Sequence, residues 1–260
     1  MARAVPAVVR ALDILELFLT GDDYSVPEIT ARLDLPRTSV HELVNTLVSR
    51  SYLAAHPDRP NRYRLGIRPF QLGSIFADKL DLTREARTVS EQVAALCDET
   101  VHVAVLDGTD VVYIAKIDST HPVRLVSAVG RRVPAHCTAV GKMLLSGLSE
   151  AAFDARYPRD RPLPAMTPNS FTVVARLKQH LAEVRAAGLA VEYCESNNAA
   201  ACVAAPVYDG SGTMAAAMSI AVPTLRWDDN SRDKLGRLVS EGARRLSTQL
   251  GYRDALLPSR

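Results

Sequence analysis

Two short amphipathic helices flanking a three-residue turn, between Ser25 and Arg50, restrict the fold of this chain more than any other feature. Ser25 stands ahead of Val26-Pro27-Glu28, which reads as an N-cap, a first turn containing proline and an acid three residues on. That helix runs to about Leu33, and Asp34-Leu35-Pro36 forms the turn. The second helix covers residues 37–50, with Val40, Leu43, Val44 and Leu47 on one face. Together they make the helix-turn-helix pattern. An amphipathic helix over 8–19, closed by Gly21-Asp22-Asp23, precedes them. Two extended segments, 52–55 and 62–65, follow and read as a β-hairpin, or wing, with a polar loop at its tip.

Charge is distributed unevenly over this region. Between residues 37 and 68 six arginines (Arg37, Arg50, Arg59, Arg62, Arg64 and Arg68) face only Glu42 and Asp58, whereas residues 13–34 are acid-rich. The whole chain carries only +2 with a pI near 8.4, too mild to indicate nucleic acid, so the local excess has to carry that reading. A recognition helix sets its N-terminal residues on base edges in the major groove; here these are Arg37, Thr38, Ser39, His41 and Glu42. Arginine reads guanine in bidentate fashion, and Ser or Thr contacts bases or phosphates. Arg59 and Arg62 of the wing would meet the DNA backbone or minor groove beside it. Helix pairs with tight turns also occur in plain helical packing, and hairpin arginines are often only solvated. The order helix, helix-turn-helix, basic hairpin favours double-stranded DNA.

Residues 69–97 read as helical with an interruption near Asp81. Beyond them the pattern changes to strands over 101–106, 111–117 and 123–129, a basic loop over 130–134, and helices over 138–148 and 173–187. Gly188 stops the last of these. Strands over 189–194, 202–208 and 214–221 and a closing helix over 230–250 complete the chain. The expected fold class is α+β. A winged helix-turn-helix domain (1–68) leads through a linker helix (69–81) to a larger domain (82–260) with an antiparallel sheet and flanking helices. At 260 residues, 47% apolar and 23% charged, the composition is globular and allows one or two domains. No run of about 18 apolar residues could span a membrane. The start shows no signal-peptide layout, so a cytoplasmic location is expected. In that compartment Cys97, Cys137, Cys194 and Cys202, with no Cys-x-x-Cys pair, stay reduced.

The residues resemble the isocitrate-lyase-regulator (IclR) family over nearly the whole chain. In the first domain the likeness rests on Arg10-Ala11-Leu12-Asp13-Ile14-Leu15, Leu35-Pro36-Arg37-Thr38-Ser39-Val40-His41 and Tyr63-Arg64-Leu65-Gly66. In the second it rests on the run from Glu99 to Asp107, on Pro134-Ala135-His136-Cys137-Thr138-Ala139-Val140-Gly141-Lys142 and on Cys202-Val203-Ala204-Ala205-Pro206-Val207. The resemblance implies a winged-helix domain and a C-terminal domain similar to the GAF sensor fold. It implies homodimers, often paired into homotetramers, on palindromic operators, with repression more common than activation. It also implies a small organic effector, held by Leu125, Val133, Ala139, Val140, Glu192, Ala200, Cys202 and Ser219. This chain departs from the family pattern with Ala139 where glycine is frequent, with Glu192-Tyr193-Cys194-Glu195-Ser196-Asn197-Asn198 before Ala199, and with Ala221 where some relatives have serine. Losing a hydroxyl and adding a carboxylate works against a bare dianion and suits an aromatic or amide-bearing effector.

Single residues carry competing readings. Glu192 is either a ligand acceptor or a charge at a strand end on the surface. Ser219, in an apolar strand, bonds either a ligand or the backbone. Arg124, Arg131 and Arg132 either attract an anion or line a solvated loop, and Arg124 faces away from the pocket if Leu125 faces in. Cys137 beside His136 makes a poor nucleophile–base pair, because neighbours on a strand face opposite sides. Cys137, Cys202, His136 and Glu192 could hold zinc only if the fold gathered them. The chain has no nucleophile elbow, phosphate loop or paired metal motif. No cofactor, metal or catalytic residue is therefore expected, and a cysteine hydrolase or a sensor module without DNA binding stand as the alternatives.

Overall fold

The computed structural model describes residues 5–19, 23–78, 81–123, 125 and 127–253. Two compact units divide the chain, Met1–Leu80 and Asp81–Arg260.

In the first unit α1 (Pro6–Leu17), α2 (Val26–Leu33) and α3 (Arg37–Ser49) enclose a core of Ile14, Phe18, Val26, Ile29, Val40, Val44 and Leu47. Burying each such side chain stabilises by roughly 1.5–3 kcal/mol. Glu28 closes the start of α2, its carboxylate accepting from the Ser25 N–H and hydroxyl at 2.7 Å each. Asp34 ends α2 in the left-handed region, φ 50°, so Leu35 and Pro36 turn the chain into α3. The hairpin strands β2 (Leu53–Ala55) and β3 (Arg62–Leu65) are joined by a strand not expected from sequence, β1 (Tyr24–Ser25), giving the order β1-β3-β2. A further helix, α4 (Ile67–Asp78), begins two residues earlier than the sequence suggested. The turn residues Gly21 and Asp22, and residues 79 and 80 of the expected linker, lie outside the described residues.

The second unit is a six-stranded antiparallel sheet, order β6-β5-β4-β9-β8-β7, between two helical layers. Its strands are β4 (Thr100–Asp107), β5 (Asp110–Ile117), β6 (Arg132–Pro134), β7 (Ala190–Tyr193), β8 (Ala200–Tyr208) and β9 (Met214–Pro223). On one face α5 (Asp81–Cys97) and α9 (Asp229–Gln249) cover Ala201, Val203, Ala205 and Val207 of β8 and Ala216, Met218, Ile220 and Val222 of β9. Strand residues alternate between faces. Ala204 and Ala217 therefore meet the other layer, α6 (Ala139–Ser146) and α8 (Val174–Ala187), and Cys202 packs with them. Between these two helices lies α7 (Glu150–Arg156), which the sequence reading passed over. Gly188 ends α8 at φ 63°, as expected of a C-cap glycine.

Two expectations need correction here. Residues 123–129 form no strand where described, and the edge strand is instead β6, inside the stretch read as a basic loop. Arg132 is not a loose loop charge. It pairs with Asp107 at 2.5 Å and Asp110 at 3.3 Å, closing the β4–β5 turn onto β6. Arg124 lies outside the described residues.

Candidate functional site

Strand alternation and one close helix packing build a cavity on the α6 side of the sheet. Thr138 caps α6, its hydroxyl accepting from the Gly141 N–H at 3.0 Å. Gly141 lets α6 lie on the turn over residues 135–137, since a Cβ there would stand 2.1 Å from the Ala135 carbonyl oxygen. The cavity encloses about 630 Å³, counting its open mouth. Leu125, Val133, Ala139, Val140, Glu192, Ala200, Cys202 and Ser219, the eight positions selected from the sequence, all line it. Arg131 lines it as well and is already engaged with a partner.

Sequence reasoning missed several lining groups. The rings of His102 and Tyr113 stack at 4.6 Å, and His102 Nε2 lies 2.6 Å from the Ser127 hydroxyl. Burial, with the Lys116 ammonium adding to it, pulls the His102 imidazole down to about 4, so the ring is neutral. Thr138, Ser196 and Asn197 add polar groups to the lining, and Met166 an apolar one. His102 left a signal in the sequence, a polar residue in an otherwise apolar strand, which calls for a partner.

Glu192 is fully buried, which removes the surface-charge reading. It lies across from Cys202 in the β7–β8 ladder. Cys194 turns the chain after β7 with φ 56°, and the N–H groups of Glu195 and Ser196 return to Glu192 Oε1 at 2.7 and 3.1 Å. Thr167 and Ser170 hydroxyls fix this loop by donating to the carbonyls of Cys194 and Glu195. Burial pushes the Glu192 carboxyl up against these hydrogen bonds, which pull it down. Lys142, also fully buried, donates to Glu195 Oε1 at 2.5 Å with its ammonium over the Phe171 ring. Burial raises Glu195 to about 7, although Lys142 opposes the shift. His136 and Cys137 sit buried in a single turn of 3-10 helix, not on a strand, and the His136 ring bonds the Pro164 carbonyl at 2.9 Å. Among the described residues no group of three metal-ligating side chains forms.

In the first unit the inward face of α3 is Val40, Val44 and Leu47, so Arg37, Thr38, His41, Glu42 and Asn45 are exposed and Ser39 is half-buried. The His41 ring meets the Asn45 amide at 3.0 Å. The wing arginines differ from expectation. Because Ser25 pairs with Arg62 in the β1–β3 ladder, Arg62 stands beside the buried Asp23. Its guanidinium donates to Asp23 Oδ2 at 2.6 Å, to the Asp23 carbonyl at 3.0 Å and to Glu28 at 3.2 Å. Arg62 thus ties the wing to the start of α2 and does not project from it. Arg59 also reaches Asp23, at 3.1 Å, but its side chain remains 61% exposed. Burial works to raise the Asp23 carboxyl, and the two guanidinium groups outweigh it and hold the group below its usual range.

An exposed helix on a wing-bearing domain and a lined cavity in a separate sheet domain define a transcription regulator with its own sensor. The chain belongs to the IclR family of bacterial transcriptional regulators. Residues 7–57 match the IclR helix-turn-helix domain and residues 75–248 the bacterial transcriptional regulator IclR C-terminal domain. It is 30% identical to the HTH-type transcriptional regulator KipR of Bacillus subtilis, over 94% of this chain and 97% of KipR. It is 29% identical to the HTH-type transcriptional repressor AllR of Klebsiella pneumoniae, over 96% of this chain and 92% of AllR. An IclR homologue of Microbacterium hydrocarbonoxydans, solved in complex with 4-hydroxybenzoate, shares the fold with a TM-score of 0.83 at 24% identity, over 94% of this chain and 98% of that one. No helix among the described residues is long and apolar enough to cross a membrane.

Proposed function

We propose that this regulator is a cytoplasmic repressor that binds a palindromic operator as a homodimer or a pair of dimers. In this reading a small aromatic or amide-bearing effector occupies the cavity of the C-terminal domain. The observation that carries it is the meeting of the eight positions implied by the family resemblance, from residue 125 to residue 219, around one cavity floored by a buried carboxylate. Compact cavities with apolar walls and a few polar groups suit small ligands with an apolar body. Ser219 and the N–H groups at the start of α6 face the ligand's polar end, because a helix start favours anions and carbonyl oxygens. Repression is supported by the name of AllR. Arg37, Thr38, Ser39 and His41 read bases, and Arg59 meets phosphate. The effector changes DNA affinity by binding one state of the protein more tightly than the other, since equal affinity shifts nothing.

The reading assigns no catalytic residue. Burial raises the Cys137 and Cys202 thiols above their ordinary value, against the thiolate that a nucleophile needs. The test is operator selection from genomic DNA with the full chain, followed by gel shifts with aromatic acids, amides and short dicarboxylates. Release of operator by an aromatic or amide, lost in a cavity-filling Ala221→Phe variant, is the expected result. Release by dicarboxylates alone, or undiminished release from the variant, overturns the assignment of the cavity.

A further inference from the structure

The carboxylate at the floor of the cavity is only half used. Glu192 Oε1 accepts two backbone N–H groups, whereas Oε2 is buried and receives no N–H or O–H among the described residues, the weakly donating Cys202 thiol being the carboxylate's one further polar partner. A buried carboxylate oxygen without a strong donor costs free energy, and native sites rarely leave one so. The charges around it are also unequal. Lys142 is the buried cation nearby, and it is committed to Glu195 at 2.5 Å. Cys202 on β8 and, across the lining, the neutral His102 ring and Tyr113 supply no positive charge. Arg131 lies at the exposed edge, where solvent screens it. Two buried carboxylates therefore share one buried ammonium.

We propose that the occupant of the cavity presents a protonated nitrogen, an ammonium or amidinium, to Glu192 Oε2 from a compact apolar or aromatic body. This rests on the cavity being the effector site. A neutral N–H or O–H would meet the empty oxygen but leave the surplus charge. A cationic donor supplies both, in the stronger charge-assisted bond. A carboxylate ligand would meet like charge at the buried end. Leu125, Val133, Val140 and Ala200 bound the space for the body. Without an occupant the pair meets its surplus by holding a proton, as the upward shifts of Glu192 and Glu195 indicate. A cationic ligand displaces that proton, so its affinity rises with pH through the titration of the pair.

Three near-isosteric probes separate the chemistries: benzamidinium, benzamide and benzoate, titrated calorimetrically into the full-length protein. Benzamidinium is expected to bind at least about tenfold more tightly than benzoate, and to weaken by about fivefold or more from about pH 8 to about pH 6, while benzamide changes little. In Glu192→Gln, of nearly the same shape, the preference for benzamidinium over benzamide falls by about tenfold. Equal or tighter benzoate binding, a flat pH profile, an unchanged preference in Glu192→Gln or no binding of benzamidinium overturns the proposal. The pH profile of the unmodified protein decides the matter even if the variant fails to fold. Ala221→Phe tells the two readings apart. If it abolishes binding of all probes but no preference for the cation exists, only the cationic ligand is refuted. If benzamidinium binding survives it, the cavity itself is not the site.

Discussion

Asp23 decides what the wing arginines are free to do. By accepting from both guanidinium groups it converts Arg62 into a structural tie, while Arg59 stays substantially exposed. Neutralising Arg59 is therefore expected to lower the salt dependence of operator binding by about 0.9 per protomer, or about 1.8 for a dimer on its palindrome. Arg62→Gln should leave that slope unchanged and lower the thermal midpoint of the first domain. Salt titrations of the two variants check this, and an equal slope change in both would return Arg62 to the interface. Arg37 stands exposed at the first position of α3. Arg37→Ala should cost about 1–3 kcal/mol per half-site on operator and much less on scrambled DNA. Equal loss on both would make Arg37 a phosphate contact. Glu195 sets a pH dependence of the sensor domain. Its carboxyl is raised from 4.5 to about 7 in the folded protein, so the folded state keeps a proton that the unfolded chain releases. Stability is then full below 4.5 and declines as pH rises toward about 7. Denaturant titrations across this range should show the decline, and Glu195→Gln should flatten it.

Elements were legible where the chain carries its own punctuation. Ser25 and Glu28 fixed the start of α2, Asp34 and Pro36 the turn, and Gly188 the end of α8. Helix α7 was missed because seven residues give too short a period to register, although Ser149 caps it by accepting from the Ala152 N–H. The third strand was misplaced for a different reason. Apolar alternation in 123–129 resembles a strand, but β5 pairs with residues 132–134, where Arg132 is held by Asp107 and Asp110. Strand pairing is a long-range choice, and local pattern does not encode it. The site was legible in the same uneven way. The family motifs located the cavity wall. The Glu192 oxygen without a strong donor depends on a turn at Cys194 and could not be read from spacing. Gly141 shows how tightly one element is set: Gly141→Ala drives a methyl into the Ala135 backbone, and α6 must move. A loss of about 1–3 kcal/mol is expected, with weaker ligand binding. Thermal melts and calorimetry on the variant check it, and an unchanged midpoint would mean that the turn over 135–137 yields freely.

At the scale of the whole molecule the open question is what covers the apolar residues left outside the cores. Isolated exposed leucines are ordinary. The first domain, however, exposes Val8, Val9 and Leu12 on α1 and Ile67, Phe70 and Leu72 on α4, with Phe70 at 70%. A recognition helix that reads two half-sites needs two copies related by a two-fold axis. An apolar interface between first domains would meet both needs. The full chain is thus expected to sediment as a dimer or larger at micromolar concentration. Phe70→Asp should shift it toward monomer and weaken operator binding by more than about tenfold, because each half-site would then bind alone. Ligand binding should persist, since the cavity is built entirely from residues of the second unit. That combination separates an assembly defect from general unfolding. A wild-type monomer with full operator affinity, or a Phe70→Asp protein that stays dimeric, would place the interface elsewhere on the chain.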